Sequence, residues 1–266
     1  MKFIHITDLH LVAPGHLLWG LDPLARLDAC LHDILTHHGD ASFCAITGDL
    51  AEQGEIAAYE ALRRRLAAFP IETHLMLGNH DGRENYLSVF GGADGWGHVQ
   101  HMLARDGLHF LFLDTLKGPP SSAGLYDAAR REWLRRELSK AGGKPVYIFM
   151  HHPPFDIGHP LMDLIKLDDS EGFAEVLKGH DVRHIFFGHA HRPISGQWRG
   201  IAFSALPSLN HQLPLAGNSV DTVYSDEPPM YAAVLIEADR TIVHADAFLN
   251  RSPARMAKDA ERGNWF

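Results

Sequence analysis

The residues of this chain that could do chemistry fall in five short clusters of carboxylate, imidazole and amide side chains. In chain order, the clusters are Asp8-Leu9-His10, Gly48-Asp49, Gly78-Asn79-His80-Asp81, His151-His152 and Gly188-His189-Ala190-His191. Oxygen and imidazole ligands of this kind suit a pair of borderline-hard metal ions better than one zinc ion. Since two adjacent metal ions are a device for attacking phosphate esters, the clusters indicate metal-dependent phosphoester hydrolysis.

The elements that must position these clusters are strands, because most of the clusters follow a short apolar run. Their length and their β-branched or aromatic content predict strands at residues 3–6, 43–46, 74–77, 108–113, 146–150 and 184–187. Open α/β sheets place their sites at the carboxyl ends of strands. We therefore expect the clusters to meet at one edge of the fold.

Amphipathic helices are predicted between the strands. Asp22 and Pro23 are typical of a helix N-terminus. Further helices are expected at residues 55–67, from residue 127 onward and at 170–178, so the chain alternates strands and helices in an α/β pattern. Beyond residue 200 the pattern changes to short strands at 201–204, 230–236 and 241–245. We predict a metal-binding core at residues 1–200, and a segment at 201–266 that completes a second sheet and adds a cap or oligomerisation element.

The overall composition narrows the possible partners. A formal net charge of -9 over 266 residues argues against nucleic acids and anionic membranes, although bound metals would still allow a small phosphate substrate. The chain has no apolar run of membrane-spanning length and no visible signal peptide. Its two cysteines give no disulfide framework. The cytoplasm is therefore the expected location.

The ordered clusters resemble the motifs D-x-H, G-D, G-N-H-D/E, H and G-H-x-H of the calcineurin-like metallophosphoesterase superfamily, over residues 4–191. A narrower resemblance is to the bacterial class III cyclic-nucleotide phosphodiesterases and the related glycerophosphodiesterases. It rests on the segments Met150-His151-His152-Pro153-Pro154, Met162-Asp163 and Asn210-His211-Gln212. The resemblance implies an α/β fold built as a four-layer α-β-β-α sandwich, and a homo-oligomer of two or more copies.

The resemblance also implies how two metal ions would be held. The first ion is expected to bind Asp8, His10, Asp49 and His191, and the second to bind Asp49, Asn79, His151 and His189. Asp49 would bridge the ions, because a carboxylate has two oxygens that can face different metals. The same nitrogen and oxygen ligands accept Mn, Fe, Zn or Co, so the residues do not select the metal.

Other residues are expected to act on the substrate or to support the ligands. His80 resembles the family's catalyst over the leaving-group oxygen, although it could also be an ordinary turn histidine. Asp81 could orient and acidify His80, or simply cap the segment that follows. His211 is a candidate substrate contact together with Asn79, whereas His5 and His152 are expected to support the ligands rather than bind metal.

The predicted function is hydrolysis of a small phosphodiester, such as cAMP or a glycerophosphodiester. The resemblance implies one in-line attack by a metal-bound hydroxide, with no covalent phospho-enzyme. A phosphomonoesterase with the same metal site is the main alternative, and a non-catalytic scaffold is a second one. Residues 155–169 and 207–229 are the expected walls of the substrate pocket.

Overall fold

The strands of this protein form two sheets, seen in a computed structural model that describes residues 1–215 and 223–251. Sheet A has the order β11-β10-β1-β2-β3, and sheet B has the order β4-β5-β6-β7-β9-β8. The strands are β1 (Lys2–Ile6), β2 (Cys44–Ile46), β3 (Thr73–Leu75), β4 (His101–Arg105), β5 (Leu108–Phe112), β6 (Val146–Met150), β7 (Val182–Phe187), β8 (Ile194–Trp198), β9 (Ile201–Ala205), β10 (Tyr231–Ile236) and β11 (Thr241–Asp246). Neighbours β1, β2 and β3 run parallel, as do β5, β6, β7 and β9.

Helices cover the outer face of each sheet. They are α1 (Pro23–His38), α2 (Ile56–Ala67), α3 (Arg83–Phe90), α4 (Ala128–Ala141), α5 (Pro160–Leu164) and α6 (Ser170–Leu177), and a 3-10 turn follows at Phe248–Asn250. The predicted start of α1 is confirmed, because the Asp22 side chain accepts hydrogen bonds from the backbone nitrogens of Leu24 and Ala25. None of the described helices is long and apolar enough to cross a bilayer.

Alternation along the strands produces the four layers. In β1, Phe3 packs between the sheets while Ile4 packs against the helices on the outside of sheet A. The layer between the sheets is rich in aromatic rings: Phe3, Phe43, Phe110, Phe112, Phe149 and Phe186. Outside sheet B, α4 and α6 bury a second helix-facing cluster that includes Trp133 and Phe173. The expected α-β-β-α sandwich is therefore confirmed.

Besides the 3-10 turn, four regular elements of the described chain were not predicted from the sequence: β4, β8, α3 and α5. The edge strand β8 has an exposed middle of Ser195, Gly196 and Gln197, and pairing with β9 decides its conformation. Strand β4 is similarly half-exposed and is paired on one side by β5. Helix α3 is short and lies between glycines, with only Tyr86 fully buried, so its apolar periodicity is weak.

The residues after 200 contribute to both sheets. Strand β9 joins sheet B beside β7, whereas β10 and β11 extend sheet A from β1. This segment was expected to complete one sheet, but its strands join both. Strand β10 pairs with β1, the first strand of the chain. The division at residue 200 and the cap or oligomerisation element stay predictions. The tail at 252–266 lies outside the described residues.

Candidate metal centre

The predicted ligands of the first metal meet at the carboxyl ends of the strands. One oxygen or ring nitrogen from each of Asp8, His10, Asp49 and His191 lies within 4.8 Å of all the others, and all four residues are buried. The Oδ2 atom of Asp49 is 3.6 Å from His10 Nε2. The Oδ1 atom of Asp8 is 3.5 Å from His191 Nε2.

The predicted ligands of the second metal lie beside the first set and share Asp49. The Nε2 atom of His151 is 3.3 Å from Asp49 Oδ2 and 3.2 Å from Asn79 Oδ1. The ring of His189 is 5.1 Å from that of His151, centroid to centroid. The same Asp49 oxygen therefore lies close to both His10 and His151, so Asp49 belongs to both ligand sets through one oxygen and not through two.

Hydrogen bonds behind three of the imidazoles fix which nitrogen faces the centre. The Nδ1–H of His10 donates to Glu52 Oε2 at 2.6 Å, and that of His191 donates to the carbonyl of His211 at 2.8 Å. The Nδ1–H of His151 donates to the carbonyl of Thr47 at 2.7 Å. With the proton held on Nδ1, each neutral ring presents the lone pair of Nε2, the atom that would bind a metal.

This arrangement fits a cation, because it brings acceptor atoms together without donors between them. The Nε2 atoms of His10 and His191 are only 3.0 Å apart. The Nε2 atom of His189 is buried and has no hydrogen-bond partner among the described residues. Converging lone pairs repel one another unless a proton or a metal ion lies between them, so the donor set fits divalent ions.

The pKa values of Asp49 and His151 also favour a cation at this centre. Burial opposes the charge on Asp49, but the His151 and His80 imidazoles outweigh burial and hold the pKa of Asp49 well below its usual value. Burial likewise opposes the charge on His151, yet the Asp49 and Asp8 carboxylates raise the pKa of His151 to about 9. Positive charge is therefore favoured between these groups, and a metal cation would take the place of the proton.

The loops that carry the ligands are packed too tightly for any side chain at the motif glycines. A Cβ atom on Gly78 would lie 2.2 Å from Asp49 Oδ1. A Cβ atom on Gly188 would lie 2.1 Å from Thr7 Oγ1 and 2.9 Å from Asp8 Oδ2. The glycines before Asn79 and His189 are thus a steric requirement of bringing the loops together.

His80 lies next to the ligands, and Glu52 orients it. Its Nδ1–H donates to the Glu52 carbonyl at 2.9 Å, while its backbone nitrogen donates to Asp49 Oδ1 at 2.9 Å. Burial lowers the pKa of His80, but the Asp49 and Glu52 carboxylates outweigh burial and leave that pKa raised. Because Nδ1 already donates to the Glu52 carbonyl, a protonated His80 can donate from Nε2 to an oxygen in the cavity.

Asp81 holds the ligand loops together instead of orienting His80. Its carboxylate accepts hydrogen bonds from the backbone nitrogens of Leu50, Ala51 and Gly78 and from the Tyr59 hydroxyl, at 2.8–3.1 Å. Among the described residues it makes no hydrogen bond with the His80 side chain. The geometry favours a positioning role for Asp81, so its predicted catalytic role finds no support in these contacts.

Comparison with known proteins decides the family. A calcineurin-like phosphoesterase family profile matches residues 1–193. The chain belongs to this family. It is 40% identical to a probable cyclic nucleotide phosphodiesterase of Rhodopseudomonas palustris over 261 residues, which cover 95% of this chain and 94% of the relative. It is 28% identical to the glycerophosphodiester phosphodiesterase GpdQ of Enterobacter lignolyticus, over 86% of this chain and 84% of the relative.

The fold agrees with this membership. A dimetal phosphatase from Danio rerio superimposes with a TM-score of 0.71, covering 92% of this chain and 95% of the zebrafish chain. Sequence identity with that protein is 15%, so the likeness concerns the fold alone. The two sheets and their helical layers are thus those of a calcineurin-like phosphoesterase.

A cavity of about 200 Å³ opens above the ligands of this calcineurin-like phosphoesterase. The predicted walls contribute Leu161, Met162 and Ile165 on one side, and His211, Leu213 and Tyr224 on the other. Residues 216–222 of the second wall lie outside the described residues. A wider groove of about 590 Å³ adjoins the cavity and shares Asn79, His80 and Ser122 with it.

His211 lines the cavity beside two of the predicted ligands. Its ring lies 4.7 Å from those of both His10 and His191, centroid to centroid. The side-chain amide of Asn210 donates to His211 Nδ1 at 3.3 Å, which leaves the proton of the neutral ring on Nε2. Burial, with His191 adding to it, lowers the pKa of His211 to about 3, so this residue is a neutral hydrogen-bond donor.

His5 and His152 lie behind the ligands. His5 Nε2 is 2.8 Å from the Thr47 hydroxyl, and His152 Nδ1 is 2.7 Å from the Thr115 hydroxyl. One nitrogen of His152 lies within 4.8 Å of a nitrogen of His151 and of His189, so His152 lies beside the predicted ligands of the second metal. Glu52 was not predicted from the sequence, where its only signal is its position three residues after Asp49.

Proposed function

We propose that this calcineurin-like phosphoesterase is a two-metal phosphodiesterase that hydrolyses cyclic nucleotides such as cAMP, or glycerophosphodiesters. The observation that carries the proposal is the position of Asp49, with one carboxylate oxygen 3.6 Å from His10 Nε2 and 3.3 Å from His151 Nε2. Asp49 would thereby belong to both ligand sets, which supports one dinuclear site. The preference for diesters is supported by the relative from Rhodopseudomonas palustris, which is 40% identical and is named a probable cyclic nucleotide phosphodiesterase.

We assign the first metal to Asp8, His10, Asp49 and His191, and the second to Asp49, Asn79, His151 and His189. The buried acceptors and the Nδ1 hydrogen bonds described above support both sets. When bound, two divalent ions would supply a nucleophile from water at neutral pH and neutralise the phosphate charge. Mn, Fe, Zn and Co all suit these ligands.

Two histidines of the chain would then act on the ester. His80 would donate a proton to the leaving-group oxygen, and the hydrogen bond to the Glu52 carbonyl fixes its ring. The Nε2–H of His211 would donate to a non-bridging phosphate oxygen. Asp81 would hold the Asp49 and Asn79 loops at their required separation through its backbone hydrogen bonds.

A turnover assay on metal-free protein reloaded with Mn²⁺ tests the proposal. Bis(p-nitrophenyl) phosphate and p-nitrophenyl phosphate are compared side by side, with Asn79→Ala as the blank. We expect diester turnover to exceed monoester turnover, and both Asn79→Ala and His80→Ala to lose most of it while their circular dichroism and unfolding temperature match the wild type. A general acid typically contributes about 10²–10⁴-fold, which sets the expected loss for His80→Ala.

The other outcomes select the alternatives. A preference for the monoester would make this protein a phosphomonoesterase with the same metal site. Absence of any metal-dependent turnover, together with less than about two ions bound per chain, would indicate a scaffold. Full activity of Asn79→Ala or His80→Ala would refute the residue assignments themselves.

Location and assembly are further parts of the proposal. We propose a cytoplasmic enzyme, which is supported by two free and fully buried cysteines, Cys30 and Cys44. We also propose a homo-oligomer, either a dimer or a larger assembly. Light scattering of purified protein measures this directly, and a monomer at micromolar concentration would contradict it.

A further inference from the structure

Trp19 is an exposed aromatic residue at the tip of a two-residue hairpin. Leu18 and Leu21 pair as an antiparallel bridge, exchanging backbone hydrogen bonds of 2.9 Å in both directions. Trp19 and Gly20 form the turn between them, with φ of 55° and 80°. Positive φ at both central residues defines the type I′ class of turn, where asparagine, aspartate and glycine are favoured.

A tryptophan at this position is unfavourable in two ways. Its backbone is held in the left-handed region, where a bulky side chain is strained. Its side chain is also 60% exposed, so burial gives little compensation for that strain. Backbone strain of this kind is found most often at functional sites. The position of the Trp19 ring indicates the site concerned.

The Trp19 ring continues the wall of the cavity outward. It lies 4.6 Å from the Tyr224 ring at an interplanar angle of 35°, and 6.5 Å from the His211 ring. Tyr224 in turn lines the cavity and meets the His211 ring edge-on at 4.5 Å. Trp19 therefore lies near His211, whose ring is in turn next to the predicted metal ligands His10 and His191.

The segment that carries Tyr224 is fixed to the rest of the fold. Gln212 and Ser225 form a second backbone bridge, with two hydrogen bonds of 2.9 Å. Arg26 of α1 spans both ends of the loop, donating to the Asn210 carbonyl and to the Asp226 carboxylate at 2.6 Å each. The aromatic pair is thus held at a set distance from His211.

We propose that Trp19 and Tyr224 form a stacking platform for the base of a cyclic nucleotide whose phosphate lies at the metal centre. This inference rests on the proposed function and selects the cyclic nucleotide over the glycerophosphodiester. A base offers a flat π-face to an aromatic ring, whereas glycerol offers only hydroxyl groups. Trp19 is 60% exposed and Tyr224 37% exposed, so the pair still offers ring surface to a base beside the cavity, which also contains Asn79 and His80.

The test compares Trp19→Asn with the wild type on two diesters, 3′,5′-cAMP and glycerophosphoglycerol, which has no ring. Asparagine suits a type I′ turn, so the variant is expected to fold with equal or greater stability. We expect kcat/KM for cAMP to fall about 5- to 150-fold, the range of stacking contributions per base, with less than a two-fold change for glycerophosphoglycerol. Trp19→Phe should recover most of the loss.

Two controls separate stacking from other effects. Leu17→Ala removes a neighbouring apolar side chain that is 63% exposed, and it should change neither substrate. Equal losses on both diesters in Trp19→Asn would overturn the proposal. So would a loss that accompanies dissociation of an oligomer in light scattering, because the aromatic pair would then be an interface between copies.

A binding measurement keeps the inference testable if the proposed catalysis fails. Calorimetry with the Rp phosphorothioate of cAMP, a slowly hydrolysed analogue, reports binding without turnover. Weaker binding in Trp19→Asn supports the platform even if the wild type hydrolyses no diester, which would refute the proposed function alone. Unchanged binding in the variant, or no binding to the wild type, would refute the platform.

Discussion

Glu52 is the residue whose replacement most directly tests how the metal centre is supported. Its carboxylate accepts the Nδ1–H of His10 at 2.6 Å and lies 3.6 Å from Nδ1 of His80. Glu52→Ala removes the group that holds His10 in the metal-binding tautomer, but it removes no predicted ligand. We therefore expect the variant to fold and to bind the first metal more weakly.

The expected size of the effect follows from the role of this hydrogen bond. Loss of a carboxylate behind a metal-bound histidine typically costs about 10- to 100-fold in metal affinity, or about 1.4–2.7 kcal/mol. Glu52→Gln keeps an acceptor oxygen and loses only the charge, so its effect should be smaller. Because Glu52 also raises the pKa of His80, both variants should shift the loss of activity at high pH toward lower pH.

The assay is competition for Mn²⁺ against a fluorescent chelator, followed by the pH dependence of diester turnover. Gln53→Ala is the matched control, since Gln53 is adjacent and exposed. Two classes of site should appear in the wild type, and only one of them should weaken in Glu52→Ala. Unchanged affinity at both sites in a folded Glu52→Ala protein would refute the reasoning, as would an equal loss in Gln53→Ala.

Two further predictions concern packing and buried charge. Gly78→Ala places a Cβ atom 2.2 Å from Asp49 Oδ1, so we expect a loss of about 1–3 kcal/mol in the free energy of unfolding, together with loss of bound metal. Gly95→Ala is the control, because a Cβ atom there meets nothing within 4 Å, and it should change neither the stability nor the metal content. Burial lowers the pKa of His184 from 6.5 to about 4, so the unfolded chain takes up this proton first as the pH falls. The stability that depends on neutral His184 is fully present above pH 6.5 and is lost as the pH falls from 6.5 to 4. This pKa difference corresponds to about 3 kcal/mol in the free energy of unfolding, which urea unfolding measures at each pH. His184→Gln should show a correspondingly smaller loss, and an equal loss in both proteins would contradict the assignment.

The sequence predicts the framework of this fold well because the parallel strands are buried on both faces. Runs such as residues 146–150 are wholly apolar, and each ends at a polar cluster. Strands at the edges of the sheets are harder to predict. In β8 a single neighbour decides the conformation, and the pairing of β10 with β1 joins residues more than 220 positions apart. Neither feature has a local sequence pattern.

The site was predictable where residue type alone determines chemistry. Aspartate and histidine at strand ends indicate metal, and the structure brings Asp8, Asp49 and His191 to within 4.8 Å of one another. The roles of Glu52 and Trp19 were not predictable from the sequence. Glu52 acts through a contact with His10 and Trp19 through one with Tyr224, and each pair is more than 40 residues apart in the chain. These two residues support or extend the centre without belonging to its motifs.

The backbone of the predicted ligands is strained, and contacts within the fold hold it in place. Among the described residues other than glycine, eight have positive φ, and five of these are predicted ligands: Asp8, His10, Asp49, His189 and His191. Left-handed residues of this kind cost on the order of 1–3 kcal/mol each, so neighbouring structure must hold them. The holding contacts are visible: the backbone nitrogens of Asp8 and His10 donate to the carbonyls of Gly48 and Asp49 at 3.1 and 2.8 Å, and that of His189 donates to the Asp8 carboxylate at 3.1 Å. Since each strained loop is hydrogen-bonded to the next one, contacts within the protein offset the strain of these five residues.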